Sequence, residues 1–168
     1  MKKYVFLVLF ACVVSCTNTA TDKVTDEEMI FNMMLETLKD DGVSNVFGHF
    51  YYGVDLRVLK RAFEFADPTL TTDEIDSLCA TYDYKCSTSI HDLLNENFED
   101  LIVYQTPQEN YCVLGYPIVI SDNKAVIISE LLKHIEDYSY KQNYLAIVFE
   151  KKDGVWEIFE MGVIEMED

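Results

Sequence analysis

Apolar residues recur at spacings of three and four through the first half of the chain, which predicts amphipathic helices. The first helix begins at a capping box over residues 25–28, in which a threonine and a glutamate satisfy each other's backbone amides. We predict a second helix over 55–65, a third that begins with another capping box at 71–74, and a fourth from about 89 to 100.

The second half changes to short apolar runs, which predict strands. The predicted strands cover 113–120 with a break at Pro117, 125–131, 144–150 and 155–161. A Lys-Asp-Gly loop at 152–154 predicts a hairpin, and the almost unbroken apolar run over 144–149 indicates burial on both faces. The order of elements predicts a single α+β domain over 25–168, with N-terminal helices followed by a C-terminal antiparallel β-meander.

Composition and charge narrow the classes of function. Apolar residues make up 49% of the 168 residues and charged residues 26%, which excludes a disordered or low-complexity chain. The net charge of −17 provides no basic stripe, so nucleic acid is not expected as a partner. The sequence has no nucleophile elbow, phosphate-binding glycine loop, paired-histidine zinc motif or EF-hand loop, and we predict no cofactor and no metal.

The N-terminus has the pattern of an export signal. Lys2 and Lys3 precede an apolar run of 11 residues over 4–14, whereas a helix that spans a bilayer needs about 20 residues. The run ends in Val-Val-Ser-Cys, which resembles the lipobox of bacterial lipoproteins. An ordinary secretory signal with a chance cysteine is the alternative.

The lipobox resemblance implies a signal peptide over 1–15, a lipid attached to Cys16 and a flexible tether over 16–24. It places the protein in the cell envelope, and the absence of aspartate after the cysteine favours the outer membrane, facing the periplasm, by the sorting rule of enteric lipoproteins. Loss of the signal leaves 11 basic and 30 acidic residues and a net charge of −19. Such a body is repelled by anionic membrane surfaces, so its attachment depends on the lipid.

The C-terminal part resembles a recurrent pattern in small lipoproteins of the Bacteroidetes type. The matching residues are Tyr-Pro-Ile at 116–118, Asp-Asn-Lys at 122–124, Glu-Lys-Lys-Asp-Gly at 150–154, and Trp156. The loop over 134–142 departs from that pattern, because many such relatives carry a glycine- and cysteine-rich loop there. The resemblance implies no activity.

Three cysteines follow the predicted lipid site, at Cys79, Cys86 and Cys112. An exported chain meets an oxidising compartment, so we predict a disulfide between Cys79 and Cys86, with Cys112 as a buried free thiol. Two alternatives stay open. One is a metal site formed by the three cysteines with His91, and the other is a Cys112 nucleophile with His91 as its base.

Two aromatic segments are candidate binding sites. The first is 47–53, where Phe50, Tyr51 and Tyr52 lie between two glycines. Aromatic faces bind sugars, peptides and other apolar surfaces, although burial in the core is the interpretation we favour for these rings.

The second candidate segment is the predicted hairpin loop that contains Tyr138 and Tyr140, followed by Tyr144, together with Glu136 and Asp137. Exposed tyrosines beside acids are typical of a recognition patch for a cationic partner. A merely solubilising loop is the alternative.

These observations favour a non-enzymatic, lipid-anchored binding module that presents an acidic surface to a basic protein or a small ligand. One version is an immunity or inhibitor lipoprotein that covers the basic cleft of an enzyme. The alternatives are a hydrolase of envelope polymers that uses Glu109 or Asp92 for proton transfer, and a structural envelope component. His91 beside Asp92, and the acids at 26–28 and 40–41, are better explained as a polar helix face and as helix ends.

Overall fold

The computed structural model of the chain describes residues 24–51, 53–104, 111–132 and 144–164. The α-helices in these ranges are α1 (Asp26–Asp40), α2 (Leu56–Ala66) and α3 (Thr72–Lys85), followed by two 3-10 segments, Ile90–Asp92 and Glu96–Leu101. The strands are β1 (Val46–Phe47), β2 (Ile102–Val103), β3 (Tyr111–Leu114), β4 (Ile118–Ser121), β5 (Lys124–Leu132), β6 (Tyr144–Lys152) and β7 (Val155–Ile164). The chain therefore has the predicted α+β class.

The three predicted α-helices are confirmed, and their N-termini are formed as the sequence indicates. Thr25 and Glu28 make a reciprocal capping box at α1, with bonds of 2.6 and 3.1 Å. Thr71 and Glu74 make the same arrangement at α3. Asp55 caps α2 by accepting a 2.8 Å bond from an amide of the first turn. Each cap satisfies backbone amides that a helix leaves without a partner.

The predicted fourth helix is wrong, because side chains take the backbone groups that it requires. The carbonyl of Leu93 accepts a 2.7 Å bond from the side chain of Asn32 on α1. In an α-helix the carbonyl of Leu93 would accept a bond from the N–H of Asn97. This N–H instead donates to the side chain of Asn95 at 3.0 Å. Asparagine and serine side chains compete with the helix in this way, so the segment forms two short 3-10 turns that begin at Ser89 and Asn95.

The strands form one seven-stranded sheet that is curled into a half-barrel. Its order is β2-β1-β3-β5-β6-β7, and β4 also pairs with β5. The predicted hairpins are antiparallel, but β1 pairs in parallel with both β2 and β3, and β1 precedes α2. The prediction of helices followed by a purely antiparallel meander is therefore wrong. Two-residue strands are too short to show a period of two, which is why the pattern does not reveal β1 and β2.

The breaks between strands occur where the turn residues predict them. The segment that contains Pro117 separates β3 from β4, and Asp153 and Gly154 adopt positive φ angles of 51° and 84° between β6 and β7. The central strands are buried on both faces, since all four residues over 146–149 are buried. Each fully buried large apolar side chain of this kind contributes about 1.5–3 kcal/mol.

Helices α1 and α2 pack through aromatic side chains. The Phe65 ring of α2 lies against Gly162 of β7, where an added Cβ would overlap with the ring. Phe31 of α1 makes an edge-to-face contact with Phe50, at 5.5 Å between ring centroids. Phe50 is only 2% exposed, so it belongs to the core.

The predicted disulfide is absent, since Cys79, Cys86 and Cys112 are all buried free thiols. Cys79 lies inside α3 and Cys86 is the residue that ends it. Seven residues of helix separate their Cα atoms by about 10 Å, whereas a disulfide requires about 7 Å or less. The prediction is wrong because the segment between them continues as a helix instead of turning.

Among the described helices, none combines the length and the apolar content that crossing a bilayer requires.

Candidate functional site

Tyr51 and Tyr144, from the two aromatic segments singled out in the sequence, meet in the structure. Their rings stack with centroids 6.0 Å apart and planes inclined by 24°. Their hydroxyl oxygens are 3.2 Å apart, so one hydroxyl donates to the other. Tyr144 is buried and Tyr51 is half-buried, which leaves the pair within reach of the surface at Tyr51.

The backbone of Tyr51 is fixed from two sides. Its N–H donates to the carbonyl of Leu114 on β3 at 2.8 Å, after the bend at 48–49 that follows β1. Its carbonyl accepts a 2.7 Å bond from the hydroxyl of Tyr82 on α3. Gly115 permits this approach, because an added Cβ there would overlap with the Tyr82 hydroxyl. Helix α3 and strand β3 together therefore hold the backbone of Tyr51 in place.

Glu130 of β5 completes the cluster and is the only buried carboxylate among the described residues. It lies directly opposite Tyr144 in the register of β5 and β6, so the two side chains are on the same face. One carboxylate oxygen, Oε1, is buried and has no hydrogen-bond partner, and it is the only such side-chain atom in the described part of the chain. We call Glu130, Tyr51 and Tyr144 the Glu130 site.

Burial raises the pKa values of Tyr51 and of two neighbouring groups, Tyr82 and Cys112. Burial, followed by the hydrogen bond with Tyr144 and by the charge and a hydrogen bond of Glu130, raises the pKa of Tyr51 well above its usual value. Burial also raises the pKa of the Tyr82 hydroxyl. Burial raises the pKa of Cys112 to about 11, with a further contribution from Glu130.

The thiol of Cys112 is within 3.1 Å of the Ser129 hydroxyl, and a thiol with a raised pKa is a poor nucleophile. The ring of His91 contacts Tyr104, and no contact between His91 and Cys112 is found. The arrangement does not support the hypothesis of a Cys112 nucleophile with His91 as base.

The chemistry of the Glu130 site fits a ligand that donates hydrogen bonds. An unpaired carboxylate oxygen accepts from ammonium or guanidinium groups in short, charge-assisted bonds. The faces of two tyrosine rings also attract cations. The sequence singles out Tyr51 and Tyr144 as candidate residues, but in two separate segments. Its only signal for Glu130 is a single charged residue inside an apolar strand.

A second cluster contains the two histidines of the described residues. The Nε2 of His91 lies 2.5 Å from the hydroxyl of Tyr104, and the rings of His49 and Tyr104 are 5.8 Å apart, edge to face. His49 also faces Phe47 at 5.6 Å and lines a cavity of about 400 Å³ together with Asp83 of α3. His91 and Asp92 are both exposed, and the hydrogen bond of His91 is with Tyr104.

Several predicted site residues lie outside the described residues: Cys16, Tyr52, Glu109, Glu136, Asp137, Tyr138 and Tyr140. Phe50 is part of the core, as the favoured interpretation of its segment predicts. Among the described residues, no three histidine, cysteine, aspartate or glutamate side chains are grouped to hold a metal ion.

Comparison of the chain with models of protein families, with curated proteins and with solved structures finds no match in any of the three.

Proposed function

We propose that this chain is an exported, lipid-anchored envelope protein that binds a cationic group of its partner at the Glu130 site. The observation that carries the proposal is the buried Glu130 Oε1, which has no hydrogen-bond partner among the described residues. A buried acceptor that is left unpaired costs about 1–3 kcal/mol, and more when it is charged. An ammonium or guanidinium N–H bonded to this oxygen removes that cost.

The tyrosine pair and the net charge support the same ligand class. The stacked rings of Tyr51 and Tyr144 offer aromatic faces beside the carboxylate, and such faces attract cations most strongly where water is excluded. The whole chain carries a net charge of −17. A field of this sign concentrates cations near the surface and accelerates their encounter with the site.

The proposed location rests on the N-terminal segment. The 11-residue apolar run and the cysteine at the end of its lipobox-like motif support export and lipidation of Cys16. Stable anchoring takes two lipid signals, which the two or three acyl chains of a lipoprotein supply. The binding site is thereby held near the membrane while the acidic body remains in the aqueous phase.

Isothermal titration with two matched probes tests the binding proposal. N-acetyl-lysine amide carries the ammonium group, and N-acetyl-norleucine amide replaces that group with a methyl. We expect the full-length expression product to bind the lysine probe at least 10-fold more tightly, because only that probe carries an ammonium group that can make a charge-assisted bond with Glu130.

Two variants separate the site from the general acidic field. Glu130→Gln keeps the size of the side chain and removes its charge, and we expect it to abolish the preference for the lysine probe. Glu64→Gln removes the same charge from an exposed position on α2 and should preserve the preference. Equal binding of both probes to the unmodified chain, or equal loss in both variants, would contradict the proposal.

Metabolic labelling with a fatty-acid analogue tests the anchor. The unmodified chain should incorporate the label, and Cys16→Ala should abolish it. Cys12→Ala is the matched control, since it removes a thiol four residues earlier and should retain the label. Labelling that persists after Cys16→Ala would overturn the assignment.

A further inference from the structure

Strand β7 forms one edge of the sheet and, with 10 residues, is the longest strand in the described part of the chain. Among the described residues it pairs with β6 alone, so the backbone along its other side has no strand partner there. Soluble proteins usually protect such an edge with lysine, proline or a bulge, because an open edge recruits other strands. β7 contains no lysine and no proline. Its bulge, at 158–160, leaves 160–164 in regular register with β6.

The same strand exposes an apolar stripe. Phe159, Met161 and Val163 are 55%, 60% and 55% exposed. Large apolar side chains grouped on the surface of a soluble domain mark a site of interaction more often than chance exposure does. Glu160, between the first two, is also exposed and has no ion-pair partner among the described residues.

We infer that residues 160–164 of β7 bind an extended segment of the partner, in which apolar and basic residues alternate, as an additional strand of the sheet. In strand addition, main-chain hydrogen bonds provide the affinity and alternate side chains provide the specificity. The apolar residues of the partner contact Met161 and Val163, and a basic residue faces Glu160. This inference rests on the proposed function, which requires a cationic partner.

The position of β7 connects this edge to the Glu130 site. Ile164 lies opposite Tyr144, and Tyr144 lies opposite Glu130 on the next strand. Adjacent strands are about 5 Å apart, so Glu130 is two strand spacings, about 10 Å, from the edge. A basic segment paired with β7 therefore has the Glu130 site within reach of a neighbouring lysine or arginine of the same partner.

Charge argues against a second copy of this chain as the occupant. Pairing two β7 strands brings together two chains that each carry a net charge of −17. The negative field of the chain attracts a basic strand, whereas it repels a second copy of the chain.

Hydrogen exchange and fluorescence anisotropy with two peptides test the inference. The probe is Val-Lys-Val-Lys-Val-Lys-Val, and the control is Val-Lys-Pro-Lys-Pro-Lys-Val, which has the same charge but cannot pair as a strand. We expect the probe to bind the full-length chain at least 10-fold more tightly than the control and to protect amides within 160–164. Met161→Lys should weaken binding of the probe at least 10-fold, and Met161→Leu should change it less than 2-fold.

Equal affinity for the two peptides, protection that is absent from 160–164, or unchanged binding to Met161→Lys would overturn the inference. Protection of 160–164 that rises with protein concentration in the absence of peptide, with a dimer in sedimentation, would identify a second copy as the occupant and would also overturn it. Binding of N-acetyl-lysine amide to the unmodified chain and to Glu130→Gln does not involve strand pairing. That comparison therefore tests the proposed function independently of the peptide experiments.

Discussion

The carboxylate of Asp26 joins the first helix to the last hairpin by accepting a 2.9 Å hydrogen bond from the indole N–H of Trp156. The same oxygen, Oδ1, accepts a 2.8 Å bond from the ammonium group of Lys151. The two ends of this contact are 130 positions apart in the sequence. One carboxylate therefore fixes the start of α1 against both strands of the β6–β7 hairpin.

Asp26→Ala should lower the free energy of unfolding by about 1–3 kcal/mol, because the indole N–H and the ammonium group lose a charged acceptor. Glu27→Ala is the matched control, since it also removes an acid from the first turn of α1. This control should lower the free energy of unfolding by only about 0.3–1 kcal/mol, which is the cost of losing a favourable charge at the N-terminus of a helix. Urea unfolding monitored by tryptophan fluorescence measures both variants, and equal losses would contradict a role for the contact.

Glu130→Gln should raise the free energy of unfolding by about 1–3 kcal/mol, because it replaces a buried carboxylate with a neutral amide of the same size. Glu64→Gln should change it by less than about 0.5 kcal/mol, as is usual for an exposed position. A binding site that lowers stability in the absence of its ligand is a common cost of function. Urea unfolding of the ligand-free variants gives the comparison, and destabilisation by Glu130→Gln would show that the carboxylate is already satisfied.

Acid should destabilise the fold in part through Asp67. Its carboxylate accepts bonds from the hydroxyl and the N–H of Thr69 at 2.7 and 3.1 Å, and these bonds, with the charge of Lys124, lower its pKa. A carboxylate with a lowered pKa in the folded state stabilises the fold fully above its unfolded pKa of about 4. That contribution is lost as the pH falls through the lowered pKa.

Asp67→Asn should therefore reduce the dependence of stability on pH below about 4, while stability near pH 7 decreases. The urea midpoint of unfolding, measured at a series of pH values from neutral to strongly acidic, checks this prediction. An unchanged slope in the acid range would mean that Asp67 has the same pKa in both states.

The free state of the cysteines predicts a specific pattern of thiol reactivity. Cys79, Cys86 and Cys112 are buried, and burial raises the pKa of each thiol. A thiol reagent should leave all three unmodified in the folded protein at neutral pH and should modify all three in denaturant without prior reduction. A Cys79–Cys86 crosslink in peptide maps of the unreduced protein would contradict the structure.

Local signals in the sequence were sufficient to predict the three α-helices and the last hairpin. The capping boxes at 25–28 and 71–74 and the Gly154 turn each act within a few residues, so the sequence contains the whole interaction. The fourth helix was wrongly predicted because Asn32, more than 60 positions away, takes the backbone groups of Leu93 and Asn95. Tertiary contacts of this range are not visible in a local pattern.

The candidate site could be predicted only in its parts. The sequence indicates Tyr51 through an aromatic segment between two glycines, and Tyr144 through its place beside tyrosines and acids. Their stacking depends on a two-residue parallel strand that brings residues 93 positions apart together. Glu130 lies in a run that predicts a buried strand, and its unpaired oxygen is a property of the packed sheet. Tyr138 and Tyr140 lie outside the described residues, so their proposed role stays a prediction.

The most direct test of the account is the position of a bound cation relative to the two tyrosines. In a nuclear Overhauser experiment with N-acetyl-lysine amide, we predict contacts between the ε-methylene protons of the probe and the ring protons of Tyr51 and Tyr144. The same contacts should disappear in Glu130→Gln. Contacts with other surface residues only, or contacts that persist in that variant, would show that Glu130 does not bind the cation.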